Sequence, residues 1–161
     1  MNRMYSCFFT GHRFIPREHS AIMHSLLNKK IRELVEFRGV EDFICGGALG
    51  FDTYAAEAVL SRKRLFPHIR LHLYLPCYGQ SDRWSSYNQN VWKAILQSAD
   101  SYTYVSESDY FNGCMQLRNE KMANDAIYCL AYYTNENSGT GATLRYAQNQ
   151  GCIIENLAEF I

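Results

Sequence analysis

The chain has 161 residues, 47% of them apolar and 20% charged, enough for a single domain over 1–161 that buries roughly 70% of its unfolded surface without disulfide or metal staples. Its 16 basic and 16 acidic side chains give a formal net charge of +0, which argues against a general nucleic-acid sleeve, since that needs a basic excess to displace counterions from phosphates. No apolar run approaches the ~18 residues of a membrane span, and the segment from Met1 to Phe9 is too soon interrupted for a secretory leader, so a cytoplasmic protein without a membrane partner is expected.

In chain order, Cys7-Phe8-Phe9 reads as a short apolar strand that stops at Thr10-Gly11-His12-Arg13. Pro16 suits the first turn of a helix. Ile22, Met23, Leu26, Leu27, Ile31, Leu34 and Val35 then recur at helical spacing to about Phe37, where Gly39 closes the run. Phe43-Ile44-Cys45 is a second strand leading into Gly46-Gly47-Ala48-Leu49-Gly50, and an alanine-rich helix follows from Phe51 to about Arg62. Ile69 to Leu75 is a third strand, ended by Pro76, and the polar loop from Cys77 to Tyr87 leads to a helix around Val91, Ile95 and Leu96. A strand at Ser101 to Val105, a helix from Met115 to about Asn124, a strand at Ala126 to Tyr132, a helix from about Ala142 to Gln150 and a short strand at Cys152 to Ile154 complete the alternation. Strand and helix alternate throughout with near-continuous apolar strands. That pattern predicts an α/β, three-layer Rossmann-like fold, a mainly parallel sheet with helices on both faces.

In such a sheet the loops after the strands gather at one edge, and ligands bind where the strand order reverses. Four loops then become neighbours: Thr10 to Arg13, Gly46 to Asp52, Cys77 to Trp84, and Asn135 to Thr143. Two of them open a helix with small residues, Gly46-Gly47-x-x-Gly50 and Ser138-Gly139-Thr140-Gly141-Ala142-Thr143. The first departs from the dinucleotide fingerprint Gly-x-Gly-x-x-Gly but keeps its physics, close backbone approach and unpaired first-turn N–H groups. Gly46, Gly47, Gly50, Gly139, Thr140 and Gly141 are expected to shape phosphate cradles, with Gly11, Ser138 and Thr143 beside them. Thr10, Arg13, Asp52, Arg118 and Arg145 are expected to supply side-chain contacts. Each also has a plainer role: a surface arginine, a hydroxyl helix cap, or, for Asp52, a charge complementing a helix dipole. His12 sits at the first loop without a partner at readable spacing. Trp84, Tyr87 and Tyr54 have the right chemistry to stack on a base, in a chain with many ordinary aromatics. No Ser/His/Asp or Cys/His set emerges from residue order. The cysteines Cys7, Cys45, Cys77, Cys114, Cys129 and Cys152 show no metal-ligand spacing and read as reduced thiols, so neither a metal nor a cofactor is expected.

Taken together, Cys7-Phe8-Phe9-Thr10-Gly11-His12-Arg13, Gly46-Gly47-Ala48-Leu49-Gly50-Phe51-Asp52 with Ala55-Ala56-Glu57, Pro76-Cys77 with Gln80 and Arg83-Trp84, Gly113-Cys114-Met115 with Arg118-Asn119 and Met122, and Gly139-Thr140 with Thr143 and Arg145-Tyr146-Ala147 resemble the SLOG superfamily. That superfamily joins the Smf/DprA and LOG proteins, and the chain is most similar to its YpsA-like branch. The resemblance implies a Rossmann-like sheet with a pocket for a nucleotide or nucleotide derivative such as one carrying ADP-ribose, in a sensor or regulatory role, and a homodimer. It also brings two alternatives. LOG enzymes cleave the bond between base and ribose 5'-phosphate, which here would fall to Asp52 or Glu57. The matching loop, Ser138 to Arg145, lacks the glutamate that closes the LOG motif. DprA proteins act on single-stranded DNA, and the neutral charge makes nucleic acid the least expected partner.

Overall fold

The strand Ser6–Gly11 (β1) carries Cys7, Phe8 and Phe9 without any exposed surface, and it is the middle of the molecule. The computed structural model describes residues 1–161. After β1 come the helix Arg17–Arg38 (α1), the strand Asp42–Cys45 (β2), the helix Phe51–Arg62 (α2), the strand Arg70–Leu75 (β3), the helix Ser86–Ser98 (α3) and the strand Ser101–Tyr104 (β4). The helix Cys114–Asp125 (α4), the strand Tyr128–Tyr132 (β5), the helix Gly139–Asn149 (α5) and the strand Ile153–Asn156 (β6) follow, with single 3-10 turns at each chain end. The helix boundaries have local causes. Pro16 precedes α1 with its carbonyl accepting from His19 and Ser20, and Gly39, at φ 68°, ends it by returning its N–H to Leu34.

All strand pairs are parallel, in the order β4-β3-β2-β1-β5-β6. The first three crossovers step outward from β1 and lay α1, α2 and α3 on one face, as right-handed connections require; the return from β4 to β5 and the step to β6 lay α4 and α5 on the other. Because side chains alternate along a strand, Cys7 and Phe9 join Phe43, Leu73, Leu130 and Tyr132 under α1 and α2, while Phe8 joins Ile44, Cys129 and Ala131 under α4 and α5. The α/β, three-layer, Rossmann-like architecture expected from the alternation is the one observed, here with every strand parallel.

Two boundaries differ from the sequence reading in a way that matters for the site. Helix α5 starts at Gly139 rather than near Ala142, since Ser138 caps it by accepting from the Gly141 N–H at 3.1 Å. Strand β1 runs on through Thr10 and Gly11, pairing with Ala131 and Tyr132 of β5. Strand order reverses between β1 and β5, so the carboxyl ends of these two strands flank the switch point. No helix is long and apolar enough to cross a membrane.

Candidate functional site

Just past β1, His12 donates its backbone N–H to Tyr132 and accepts on its backbone carbonyl from Phe51, tying this loop to β5 and to the start of α2. The His12 ring bridges as well, its Nε2 accepting from the Thr134 N–H at 2.8 Å, which places the ring proton on Nδ1. Burial pushes this imidazole below its ordinary value, in keeping with a neutral ring. Gly11 is needed because a Cβ there would stand 2.5 Å from the Phe51 ring. The loop therefore lies pressed against the opening of α2, and Arg13 emerges beside it, exposed and with no hydrogen bond or ion pair for its side chain.

Around the switch point a cavity of about 270 Å³ is lined by Thr10, Gly11, His12, Arg13, Ala48, Asp52, Met115, Arg118, Asn119, Ser138, Gly139 and Thr140. Gly139 opens α5 with nothing within 4 Å of where a Cβ would lie, so protein packing does not require a glycine there. The Ser138 hydroxyl satisfies Gly141, and the N–H groups of Gly139 and Thr140 have no partner within the helix they open. The structure thus brings Thr10, Gly11, Arg13, Asp52, Arg118, Ser138, Gly139 and Thr140 around one crevice.

The remaining expected residues sit elsewhere. Gly46 holds its carbonyl toward Arg118 Nη1, and a Cβ on it would meet that same nitrogen at 2.5 Å, so this glycine makes room for a guanidinium. Gly47 and Gly50, at φ 72° and 77°, lie with Glu57 on a second cavity, of about 400 Å³, between α2 and α3. Thr143 is fully buried one turn into α5, donating to the Gly139 carbonyl and accepting from Asn119. Gly141 and Arg145 face a separate shallow hollow, where Arg145 donates to the Glu136 carbonyl at 2.9 Å. Met115 and Asn119, quoted for the resemblance but not among the expected contact residues, also line the crevice; Met115 stands three and four positions before Arg118 and Asn119 on α4, a spacing that puts the three on a shared face.

Two charges are buried in this crevice without meeting each other as an ion pair. Arg118, 4% exposed, donates from Nε to Asn119, from Nη1 to Gly46 and to Tyr74 at 3.3 Å, and its Nη2 reaches only the Met115 sulfur at 4.0 Å. Asp52 accepts from the Ala48 N–H at 3.1 Å. Burial raises its carboxyl to about 6, with Arg118, the Ala48 N–H and Arg13 pulling the other way. Between its ordinary value of 3.8 and about 6 the folded chain keeps a proton that the unfolded chain has lost, so the Asp52 contribution falls as the pH rises through that window, by ~3 kcal/mol at most. Urea unfolding of the native protein and of Asp52→Asn at a series of pH values isolates this: the difference between the two should change across the window and be flat above it. A difference independent of pH would show that Asp52 titrates normally.

At the opposite, amino edge of the sheet the fold assembles what residue order hid. His72 lies 2.7 Å from Asp42 through Nε2 and 2.6 Å from Ser101 through Nδ1, a Ser/His/Asp array. Arg70 also donates to both Asp42 oxygens, at 2.8 and 3.1 Å. Burial alone would raise Asp42, but the hydrogen bonds from Arg70 and His72 outweigh it and hold the carboxyl below its ordinary value. With the aspartate already paired by Arg70 and His72, the array serves as a clasp tying β2, β3 and β4.

Several known proteins resemble the chain in sequence or in fold. The chain is 34% identical over 130 residues to the SPbeta prophage-derived protein YoqJ of Bacillus subtilis strain 168, covering 73% of this chain and 75% of that one. It is 32% identical over 113 residues to a UPF0398 protein of Brevibacillus brevis, covering 68% of this chain and 60% of the relative. The matches span 46 to 60% of the length of the first UPF0398 relatives. Among solved structures, DNA processing protein A from Helicobacter pylori, described for its single-stranded DNA binding mode, superposes with a TM-score of 0.67 at 17% identity, over 94% of this chain and 64% of that one. DNA processing protein A from Streptococcus pneumoniae does so with the same TM-score at 16% identity, over 92% and 48%. These two likenesses speak for the fold. The profile of the YspA SLOG family matches residues 15–151, from the loop after β1 to the end of α5, and the chain belongs to that family.

Proposed function

We propose that the chain binds a nucleotide or nucleotide derivative, of the ADP-ribose kind, with its phosphate at the crevice between β1 and β5, in a sensor or regulatory role. The observation that carries this reading is the meeting of an unpaired arginine, Arg13, with the open first turn of α5 at Gly139 and Thr140 across one cavity. Backbone N–H groups at a helix start favour an anion, and a guanidinium adds bidentate contacts to phosphate oxygens. In this reading the buried Asp52 beside them accepts from a ribose hydroxyl, and Nη2 of Arg118, which reaches only the Met115 sulfur within the protein, donates to the same ligand. Family membership supports the reading at the level of fold.

Thermal unfolding at fixed salt with AMP, ADP, ADP-ribose and NAD tests it. A ligand at ~100 times its Kd adds about 2.7 kcal/mol, which for a domain of this size is a rise of roughly 5 to 10 °C. At least one of the four should give that rise, and Arg13→Ala should abolish it. A rise that survives Arg13→Ala, or none with any of them, would contradict the assignment.

A second reading is favoured by the proton on Asp52. A carboxyl poised at about 6 inside the crevice exchanges its proton near neutral pH, as a general acid or base must. Under this reading the protein hydrolyses the bond between base and ribose in a nucleoside monophosphate, with Asp52 rather than the exposed Glu57 as the working group. Free base released on long incubation by the native protein and not by Asp52→Asn would favour it. Nucleic acid is the least favoured ligand because basic and acidic side chains balance. The homodimer belongs to the proposal too and is read by light scattering.

A further inference from the structure

Beyond the glycine loop from the crevice lies the cavity of about 400 Å³ between α2 and α3, within the range of small-molecule pockets (roughly 300–1,000 Å³). Its outer wall is aromatic: Trp84, Tyr87 and Trp92 come from the loop before α3 and from α3 itself, and Tyr54 from α2. Tyr87 is 75% exposed, so core packing does not explain it. This cavity and the crevice share Arg13, Ala48 and Asp52 in their linings. They are also joined by hydrogen bonds: Trp92 Nε1 donates to Gln80 Oε1 at 3.3 Å, Gln80 Nε2 donates to the Gly46 carbonyl at 3.1 Å, and the same carbonyl accepts from Arg118. One backbone oxygen thus anchors both an aromatic wall residue and the arginine of the anion crevice.

We infer that this cavity is the base subsite of the same ligand, and that the base is a purine. The inference rests on the nucleotide reading of the crevice. A planar base gains from aromatic faces on more than one side, and a bicyclic ring fills more of the available volume than a pyrimidine. The two parts of the ligand then lie on either side of the glycine loop, with Arg13 at their junction. Gly47, Ala48, Leu49 and Gly50 of that loop all line the cavity, the two glycines at φ 72° and 77° setting its turn.

The chain supplies its own reporter, because its 2 tryptophans are Trp84 and Trp92 and both line the cavity. The test follows tryptophan fluorescence and thermal unfolding in parallel with AMP, GMP, adenosine and ribose 5-phosphate. AMP or GMP should change the fluorescence and raise the melting temperature, and ribose 5-phosphate should at high concentration raise the melting temperature alone. Tyr87→Ala should weaken the purine nucleotide roughly tenfold or more while leaving ribose 5-phosphate unchanged; Tyr87 makes no hydrogen bond through its exposed ring, so this variant should fold. Equal affinity for AMP, GMP and ribose 5-phosphate, or nucleotide binding that leaves fluorescence and the Tyr87→Ala affinity unaltered, would overturn the base subsite while leaving the anion crevice standing. A fluorescence change with adenosine and no response to any phosphate would do the reverse, keeping the base subsite and removing the nucleotide reading. No response to any of the four overturns both.

Discussion

Replacing Arg118 with methionine is expected to cost about 3 to 5 kcal/mol of stability. Its guanidinium is 4% exposed and donates to two buried backbone carbonyls, those of Gly46 and Tyr74. Removing it takes that donor from the Tyr74 carbonyl and leaves the Gly46 carbonyl with Gln80 alone, and a buried polar group left short of a partner costs ~1 to 3 kcal/mol. A void also opens against Gly46, which has no Cβ to fill it. For a domain of this size the loss corresponds to a fall in melting temperature of roughly 6 to 20 °C. Arg118→Lys should recover little, because a single ammonium cannot reproduce the planar fork that meets Asn119, Gly46 and Tyr74 together. A loss under ~1 kcal/mol by urea unfolding would show that the glycine loop is held by other means.

The second large effect is expected at Gly50, and it is most informative beside Gly139. Gly50 sits at φ 77° and ψ −121°, a region essentially closed to other residues, and its added Cβ would collide with the Arg13 backbone carbonyl. Gly50→Ala should therefore cost ~3 kcal/mol or more and displace Arg13 as well, so stability and ligand binding fall together. Gly139 has no positive φ and open space around it. Gly139→Ala should leave stability within ~0.5 kcal/mol or raise it slightly, as alanine is the better helix former. Yet its methyl would stand in the crevice where the phosphate is proposed to lie, and affinity should drop at least tenfold. Unfolding curves and ligand titrations on the two variants separate a glycine kept for the fold from one kept for a ligand. Equal affinity in Gly139→Ala and the native protein would remove α5 from the site.

Element order and most boundaries were legible because they depend on neighbours in the chain. Alternating apolar runs and helical periodicity marked the strands and helices, and Pro16 and Gly39 bracketed α1. A gathering of loops at one edge followed from parallel strands alone. The contacts across the sheet were not legible. Gly46 looked like part of a phosphate cradle, whereas its neighbour in space is Arg118, 72 residues away, and nothing local in either residue signals the pairing. Arg145 was expected beside the second glycine turn. With α5 beginning at Gly139, six positions at 3.6 residues per turn carry it round to another face, where it meets Glu136. The Ser101, His72 and Asp42 array escaped for the same reason, being formed by register between three strands rather than by spacing along one. The aromatic wall was half visible: Trp84, Tyr87 and Tyr54 stood out by type, while Trp92 became part of it only through its position on α3 facing the cavity.

The central claim is that a phosphate-bearing ligand lies at the β1/β5 switch point, and amide chemical-shift mapping during titration with ADP-ribose tests its location most directly. The account predicts that the largest shifts fall on Gly11, Arg13, Ala48, Gly139 and Thr140, which line the crevice, with Asp100 and Gly151 at the far ends of their strands and helices undisturbed. Saturating shifts clustered around Asp42, His72 and Ser101 at the amino edge, or no shifts with ADP-ribose or any nucleotide in the panel, would contradict it.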